Sequence, residues 1–173
     1  MTLTPAQRKL VLTVHVVTSV GLLGAIAAFL ALAVLGVSTA DEQTQRGVYA
    51  AMALIARAVI LPLAFAALLV GLVQGLATPW GLLRHYWVLL KLLLTSFATA
   101  ILLIKMRMIG DAARLASDLT VSRADLNSLG VQLLVHAAGG LAVLLVPAVL
   151  SIYKPAGLTP YGFRRQQALR ARS

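Results

Sequence analysis

Four long apolar runs, at about 10–37, 48–77, 86–104 and 129–153, constrain this chain more than any other feature. A helix needs about 20 apolar residues to cross a hydrocarbon layer roughly 30 Å thick, and each run has enough or nearly enough. The runs consist of Leu, Ala, Val and Gly with few turn-forming interruptions, so they read as helices rather than barrel strands. Only 12% of the 173 residues are charged, about half the usual share in a soluble domain, and 60% are hydrophobic. The fold class that follows is all-α: a four-transmembrane-helix bundle over 1–153 with a basic tail over 154–173. Ser38-Thr39-Ala40 has the look of a leader cleavage site, but the first run is far longer than the roughly 7–15-residue core of a signal peptide. The first helix is therefore expected to be retained.

Charge sets the expected threading. Arg8, Lys9, Arg84, Lys154, Arg164, Arg165, Arg170 and Arg172 belong to the two ends and the 78–85 turn, with no acid among them. The other two connections hold Arg46, Lys105, Arg107, Arg114 and Arg123 against Asp41, Glu42, Asp111, Asp118 and Asp125, and so balance. The positive-inside rule then puts both termini and the 78–85 turn in the cytoplasm. The net charge of +10 is explained by this asymmetry, without nucleic acid as a partner. Anionic lipid headgroups are the expected partner of the tail. Trp80, Tyr86, Trp87, Tyr153 and Tyr161 fall where aromatic rings favour the headgroup level.

Local signals refine the picture. Thr78-Pro79-Trp80-Gly81 predicts a tight turn that makes the second and third helices antiparallel neighbours. The stretch from Gly110 to Ser128 reads as the longest loop, with room for a short interfacial helix over 111–115 and a cap where Ser122 precedes Asp125. Pro62 and Pro147 predict local bends. Val11-Leu12 with Thr18-Ser19, echoed by Val88-Leu89 with Thr95-Ser96, hints at two related hairpins.

The chain has no cysteine and five acids. Thiolate metal sites, disulfides and iron–sulfur clusters are thereby excluded, and paired-carboxylate chemistry has little to draw on. No triad, zinc motif or phosphate loop is present, so no enzymatic activity is expected. Functional signal rests on polar residues within the runs: His15, Ser19, Arg57, Lys91, Thr95, Gln132 and His136. Three- and four-residue spacing aligns most of them into one stripe per helix, expected to face the interior because lipid rejects them. Gly21, Gly24, Ala25, Ala28 and Ala137 to Gly140 are expected to let backbones approach closely. Arg57 reads as a marker of the outer boundary, and Lys91 either as a snorkelling lysine or as a functional cation. Neither has a carboxylate partner within a span. His15 and His136 lie towards opposite leaflets and make a poor pair of haem ligands, which leaves His15 with His85.

The segments Val14-His15-Val16-Val17-Thr18-Ser19-Val20-Gly21-Leu22-Leu23-Gly24, Gly71-Leu72 followed by Gly75-Leu76-Ala77-Thr78-Pro79-Trp80-Gly81-Leu82-Leu83-Arg84-His85-Tyr86-Trp87-Val88-Leu89-Leu90-Lys91, His136-Ala137-Ala138-Gly139-Gly140 and Tyr153-Lys154-Pro155-Ala156-Gly157-Leu158-Thr159-Pro160-Tyr161-Gly162 resemble an uncharacterised family of four-helix bacterial integral membrane proteins. That family is a domain of unknown function frequent in high-GC Gram-positive bacteria. The resemblance spans essentially the whole chain and implies fold and location, not activity. A fainter likeness, a histidine followed by Gly-x-x-Gly, extends to copper-resistance D-type membrane proteins, although the four methionines do not cluster with the histidines. Three readings remain open. The first is a bacterial cytoplasmic-membrane protein that binds or moves a small anionic or lipid-like ligand through a polar interior. The second is a b-type haem or quinone-linked electron-transfer protein, and the third is a structural subunit of a membrane complex or homo-oligomer.

Overall fold

The computed structural model describes residues 4–77, 81–155 and 157–171. Thr78, Pro79 and Trp80 of the expected turn lie outside the described residues, as do Ala156 and the tail cation Arg172. Four long helices, α1 (Pro5–Ser38), α2 (Glu42–Ala77), α3 (Tyr86–Ser117) and α4 (Arg123–Tyr153), are each long and apolar enough to cross a membrane. A fifth, α5 (Pro160–Arg170), ends the described chain. The protein is thus an all-α bundle with the make-up of a multi-pass membrane protein. α1 packs on α2 and α4, and α3 packs on the same two, so α1 and α3 face each other across the diagonal.

The helix starts are written in their caps. Thr4 and Gln7 form a reciprocal capping box at α1, the Asp41 carboxylate accepts from Thr44 N–H (2.8 Å) at α2, and Ser122 Oγ accepts from Asp125 N–H (3.3 Å) at α4. The predicted Ser122 cap is therefore present. The predicted loop around it is not. α3 continues to Ser117, and only 118–122 separate it from α4. The 105–117 stretch is too charged for a hydropathy run, yet Ile109, Ala112 and Ala116 recur at helical spacing and are buried, so it stays helical by amphipathic packing. The 111–115 segment belongs to this helix and is not a separate interfacial one.

The helices hold 31 to 36 residues, about 46–54 Å, which exceeds what a roughly 30 Å hydrocarbon layer requires. The tightest packing lies at the α1–α2 and α3–α4 loop end, where Tyr49, Met52, Leu126 and Gln45 are the largest fully buried side chains. Elsewhere large apolar residues such as Val17, Leu69, Leu76, Leu93, Ile104 and Ile152 face outward. Water would disfavour that surface, and lipid would not.

Pro62 coincides with a local change in the winding of α2. Proline cannot donate to the carbonyl four residues back, and the helix answers with a π-turn over Ala56–Ile60, where Leu61 N–H bonds to Ala56 O. Pro147 sits within the continuous α4.

The tail is more ordered than a basic extension. Lys154 ends α4 in the left-handed region (φ 42°), which turns the chain back towards the start of α3. Leu158 bridges to His85, Thr159 N–H donates to Arg84 O (3.0 Å), and Gly157 O accepts from Tyr86 N–H (3.3 Å). Thr159 Oγ1 then caps α5 by accepting from Gly162 N–H (3.1 Å).

Candidate functional site

The structure separates the polar residues of the spans into two levels. His15, Ser19, Lys91 and Thr95 are half-buried and share the half of the bundle nearest the α2–α3 turn. His15, on α1, faces α2, where a methyl group on Gly71 would come within 3.2 Å of its Cε1. Its Nδ1 is buried without a hydrogen-bond partner. The same ring lies near the Ala67 backbone and within the field of Lys91, so these two basic groups on diagonal helices share one level.

Lys91 reaches across the α3–α4 seam. Its Nζ donates to Ser151 Oγ at 2.9 Å, and Ser151 donates onward to Pro147 O at 2.8 Å. The ammonium also lies 4.9 Å from the centre of the Trp87 ring, which in turn sits tilted against His85 at 6.2 Å. Ser151 and Trp87 are both neutral. The five acids of the chain all lie at the far loop end or in the helical turns beside it. Ser151 was not among the polar residues singled out from the sequence, because nothing in an apolar run distinguishes a back-bonded serine from a lysine's partner.

The remaining predicted residues lie apart from this level. Arg57 is exposed and belongs to the π-turn, and its guanidinium extends towards Gly110 of α3, where a Cβ would meet Nη2 at 2.8 Å. Gln132 and His136 are exposed on α4 rather than turned inward, and His136 Nδ1 is 2.6 Å from Gln132 O within its own helix. Because a carbonyl only accepts, Nδ1 carries the proton of that bond. Gly21 does pack closely, 3.5 Å from Leu63 across the gap a Cβ would fill, but Gly24, Gly139 and Gly140 have open space there. Among the described residues no three His, Cys, Asp or Glu side chains gather as metal ligands.

The loop end carries polar structure that the charge count hid. Arg46 of α2, paired with Glu42, donates to Ala116 O (3.0 Å), Asp118 O (2.7 Å) and Val121 O (3.2 Å), and so caps the end of α3. Arg123 at the start of α4 does the same for α1, donating to Ala40 O (2.7 Å) and Thr39 O. Gln45, fully buried, donates to Gly36 O (2.8 Å) and Asn127 Oδ1 (2.6 Å). These residues join helices to one another and are structural.

Between the two levels the interior is apolar. A cavity of about 90 Å³ lies among Leu22, Phe29, Ile60, Leu102, Leu133 and Leu144, with Lys105 and His136 also on its wall. Comparison with protein-family models, with curated proteins and with solved structures finds no match for this chain.

Proposed function

We propose that this chain is a multi-pass protein of a bacterial cytoplasmic membrane, with both termini and the α2–α3 turn in the cytoplasm, and that it binds the anionic group of a small or lipid-like ligand between Lys91 and His15. One observation carries this reading: a half-buried ammonium whose contacts among the described residues are a hydroxyl and a ring, level with a buried imidazole nitrogen that has no hydrogen-bond partner among them. Ionisable groups at such depth favour a counter-charge, and no carboxylate lies at this level to supply it. A phosphate or carboxylate there accepts charge-assisted bonds from Lys91, about twice as strong as neutral ones. Binding is favoured over passage through the bundle, because Leu22, Ala64 and Leu144 make the next level apolar.

The test is thermal unfolding of the detergent-solubilised protein with and without inorganic phosphate or phosphatidylglycerol. A ligand at 100 times its Kd stabilises by about 2.7 kcal/mol, a rise in Tm of roughly 5–10 °C for a chain this size. Lys91→Met is expected to remain folded and lose that rise. Equal shifts in both proteins, or no shift in either, would overturn the anion-site reading and leave a snorkelling lysine.

A further inference from the structure

The seam between α2 and α3 gathers charge that the balanced count of the loop end conceals. Arg57 lies within the π-turn, a winding that recurs at functional positions. Its guanidinium crosses to α3 and rests over the buried Gly110, where a Cβ would meet Nη2 at 2.8 Å and Cζ at 4.0 Å. Only glycine leaves the guanidinium that place. Arg107 and Arg114, both exposed, stand three residues before and four after Gly110, the spacings that adjoin it on one helix face. Among the described residues no hydrogen bond or ion pair engages the guanidinium of any of these three arginines.

The acids of the loop end do not neutralise them. Asp41, Glu42, Asp118 and Asp125 belong to helix ends, and Glu42 is already paired with Arg46. Asp118 lies eight residues beyond Gly110, about 12 Å further out. Asp111 is the acid beside Gly110, and among the described residues it forms no ion pair, so three cations face one anion. Depth then says what meets them. Lys105 is the first residue beyond the third apolar run and marks the edge of the hydrocarbon layer. Gly110 is five residues further, about 7.5 Å, which is the level of the head groups in a layer roughly 5–7 Å thick on each side. Leu103, four residues before Arg107 on the same face, is 46% exposed and offers an apolar surface just below.

We propose that the α2–α3 seam at Gly110 is a binding site for an anionic phospholipid of the adjacent leaflet, its phosphate held by Arg57 and Arg107 and its acyl chain running down past Leu103. The planar guanidinium fork matches phosphate oxygens bidentately, and basic recesses between membrane helices are where anionic head groups bind. A choline head carries its own cation, which the surplus of arginines repels, so a lipid with net negative charge is the occupant that fits. The site lies at the opposite end of the bundle from Lys91 and does not rest on that reading.

The probe is phosphatidylglycerol bearing a diazirine near the head of one acyl chain, incorporated into phosphatidylcholine vesicles with the full-length protein and mapped by mass spectrometry after illumination. Labelling is expected to concentrate on 100–110 and 54–61, and to exceed that given by phosphatidylcholine with the same diazirine. Arg57→Gln is expected to lower it about tenfold, the weight of one hydrogen bond to a charged group. Gly110→Ala keeps every charge and favours the helix, so Tm holds, but it pushes the guanidinium aside and is expected to lower labelling roughly threefold. Lys91→Met is expected to leave the labelling of these peptides unchanged. Equal labelling by the two lipids, or labelling indifferent to Arg57→Gln or to Gly110→Ala, would overturn the proposal. Displacement of the lipid probe by millimolar inorganic phosphate would also overturn it and assign the arginines to a soluble anion.

Discussion

Tyr49 of α2 and Gly130 of α4 fit together so closely that the phenol hydroxyl occupies the space a side chain at residue 130 would need. That hydroxyl donates to Leu126 O at 3.0 Å, one turn before Gly130, and the ring also packs on Gly36 of α1. Three helices meet on one fully buried tyrosine. Gly130→Ala is therefore expected to destabilise by about 1–3 kcal/mol through overpacking, and Tyr49→Phe by about 1 kcal/mol through a lost hydrogen bond. Removing the hydroxyl also removes the main clash, so the double variant should cost less than the two singles added. Additive losses in thermal unfolding would show that the two residues are not coupled as the geometry requires.

Arg46 bonds to several carbonyls at once, a task for a planar fork of donors. Arg46→Lys keeps the charge but loses most of these contacts, and Arg46→Ala loses all of them. Both are expected to loosen the end of α3, the alanine variant by about 2–3 kcal/mol, since hydrogen bonds to charged groups are the stronger ones. Hydrogen exchange at 115–122 reports the change. Protection equal to that of the parent in Arg46→Ala would show that the guanidinium is dispensable there.

The mobile proton chemistry outside the spans is that of two carboxylates. Thr44 holds Asp41 below the usual carboxylate range through its hydroxyl and then its backbone N–H, and Thr120 does the same for Asp118. A depressed folded-state pKa contributes stability that is present above the ordinary value near 3.8 and is lost as pH falls through the lower folded value. Tm is thus expected to be flat in these two groups from neutral pH to about 5 and to fall below 4. Asp41→Asn keeps a good N-cap at neutral pH, because asparagine caps about as well as aspartate, and should flatten part of the acid limb. An unchanged acid limb would assign the sensitivity elsewhere.

Much of this architecture was legible from hydropathy alone, and what was missed has identifiable causes. The span count follows from hydropathy, and the N-cap at Ser122 from its spacing to Asp125. The length of α3 did not, because Lys105, Arg107 and Asp111 end the hydropathy run, whereas burial of Ile109, Ala112 and Ala116 continues the helix. A search for three- and four-residue periodicity past 104 would have found it. Arg46 and Arg123 were counted as loop charges, and no count reveals that they cap α3 and α1. The cavity was invisible for the opposite reason: Leu, Ile and Phe that line a space read the same in sequence as those that fill it. Gln132 and His136 obey the stripe spacing yet are exposed, and the His136 ring bonds to its own helix at Gln132 O.

The docking of the tail makes a prediction about glycine. A Cβ at Gly162 would run into the Arg84 backbone carbonyl, which cannot move as a flexible side chain would. Gly162→Ala is expected to detach α5 from the α2–α3 turn, and Thr159→Val to weaken the same contact by removing its hydroxyl cap. Trypsin cleavage at Arg164 and Arg165 should accelerate in both variants while the Tm of the four-helix bundle changes by no more than a few degrees. Cleavage as slow as in the parent would mean that α5 is held by other contacts.

The threading of the chain is open to a direct test because it contains no cysteine to mask. Eight cations at the termini and the 78–85 turn, against balanced charge at the far end, favour a cytoplasmic location for the former, where insertion retains Lys and Arg. Of the five cations at that end, Arg46 pairs with Glu42 and the α3 carbonyls and Arg123 donates to Thr39 O and Ala40 O, while five acids balance the whole set. Single cysteines at Ser38 and Ser117, both exposed at that end, are expected to react with a membrane-impermeant maleimide on intact cells. A cysteine at Ser173 is expected to react only after permeabilisation. Labelling of the Ser173 position on intact cells would invert the threading, place the Lys91 level in the outer leaflet, and remove the cytoplasmic anions from the ligands available to it.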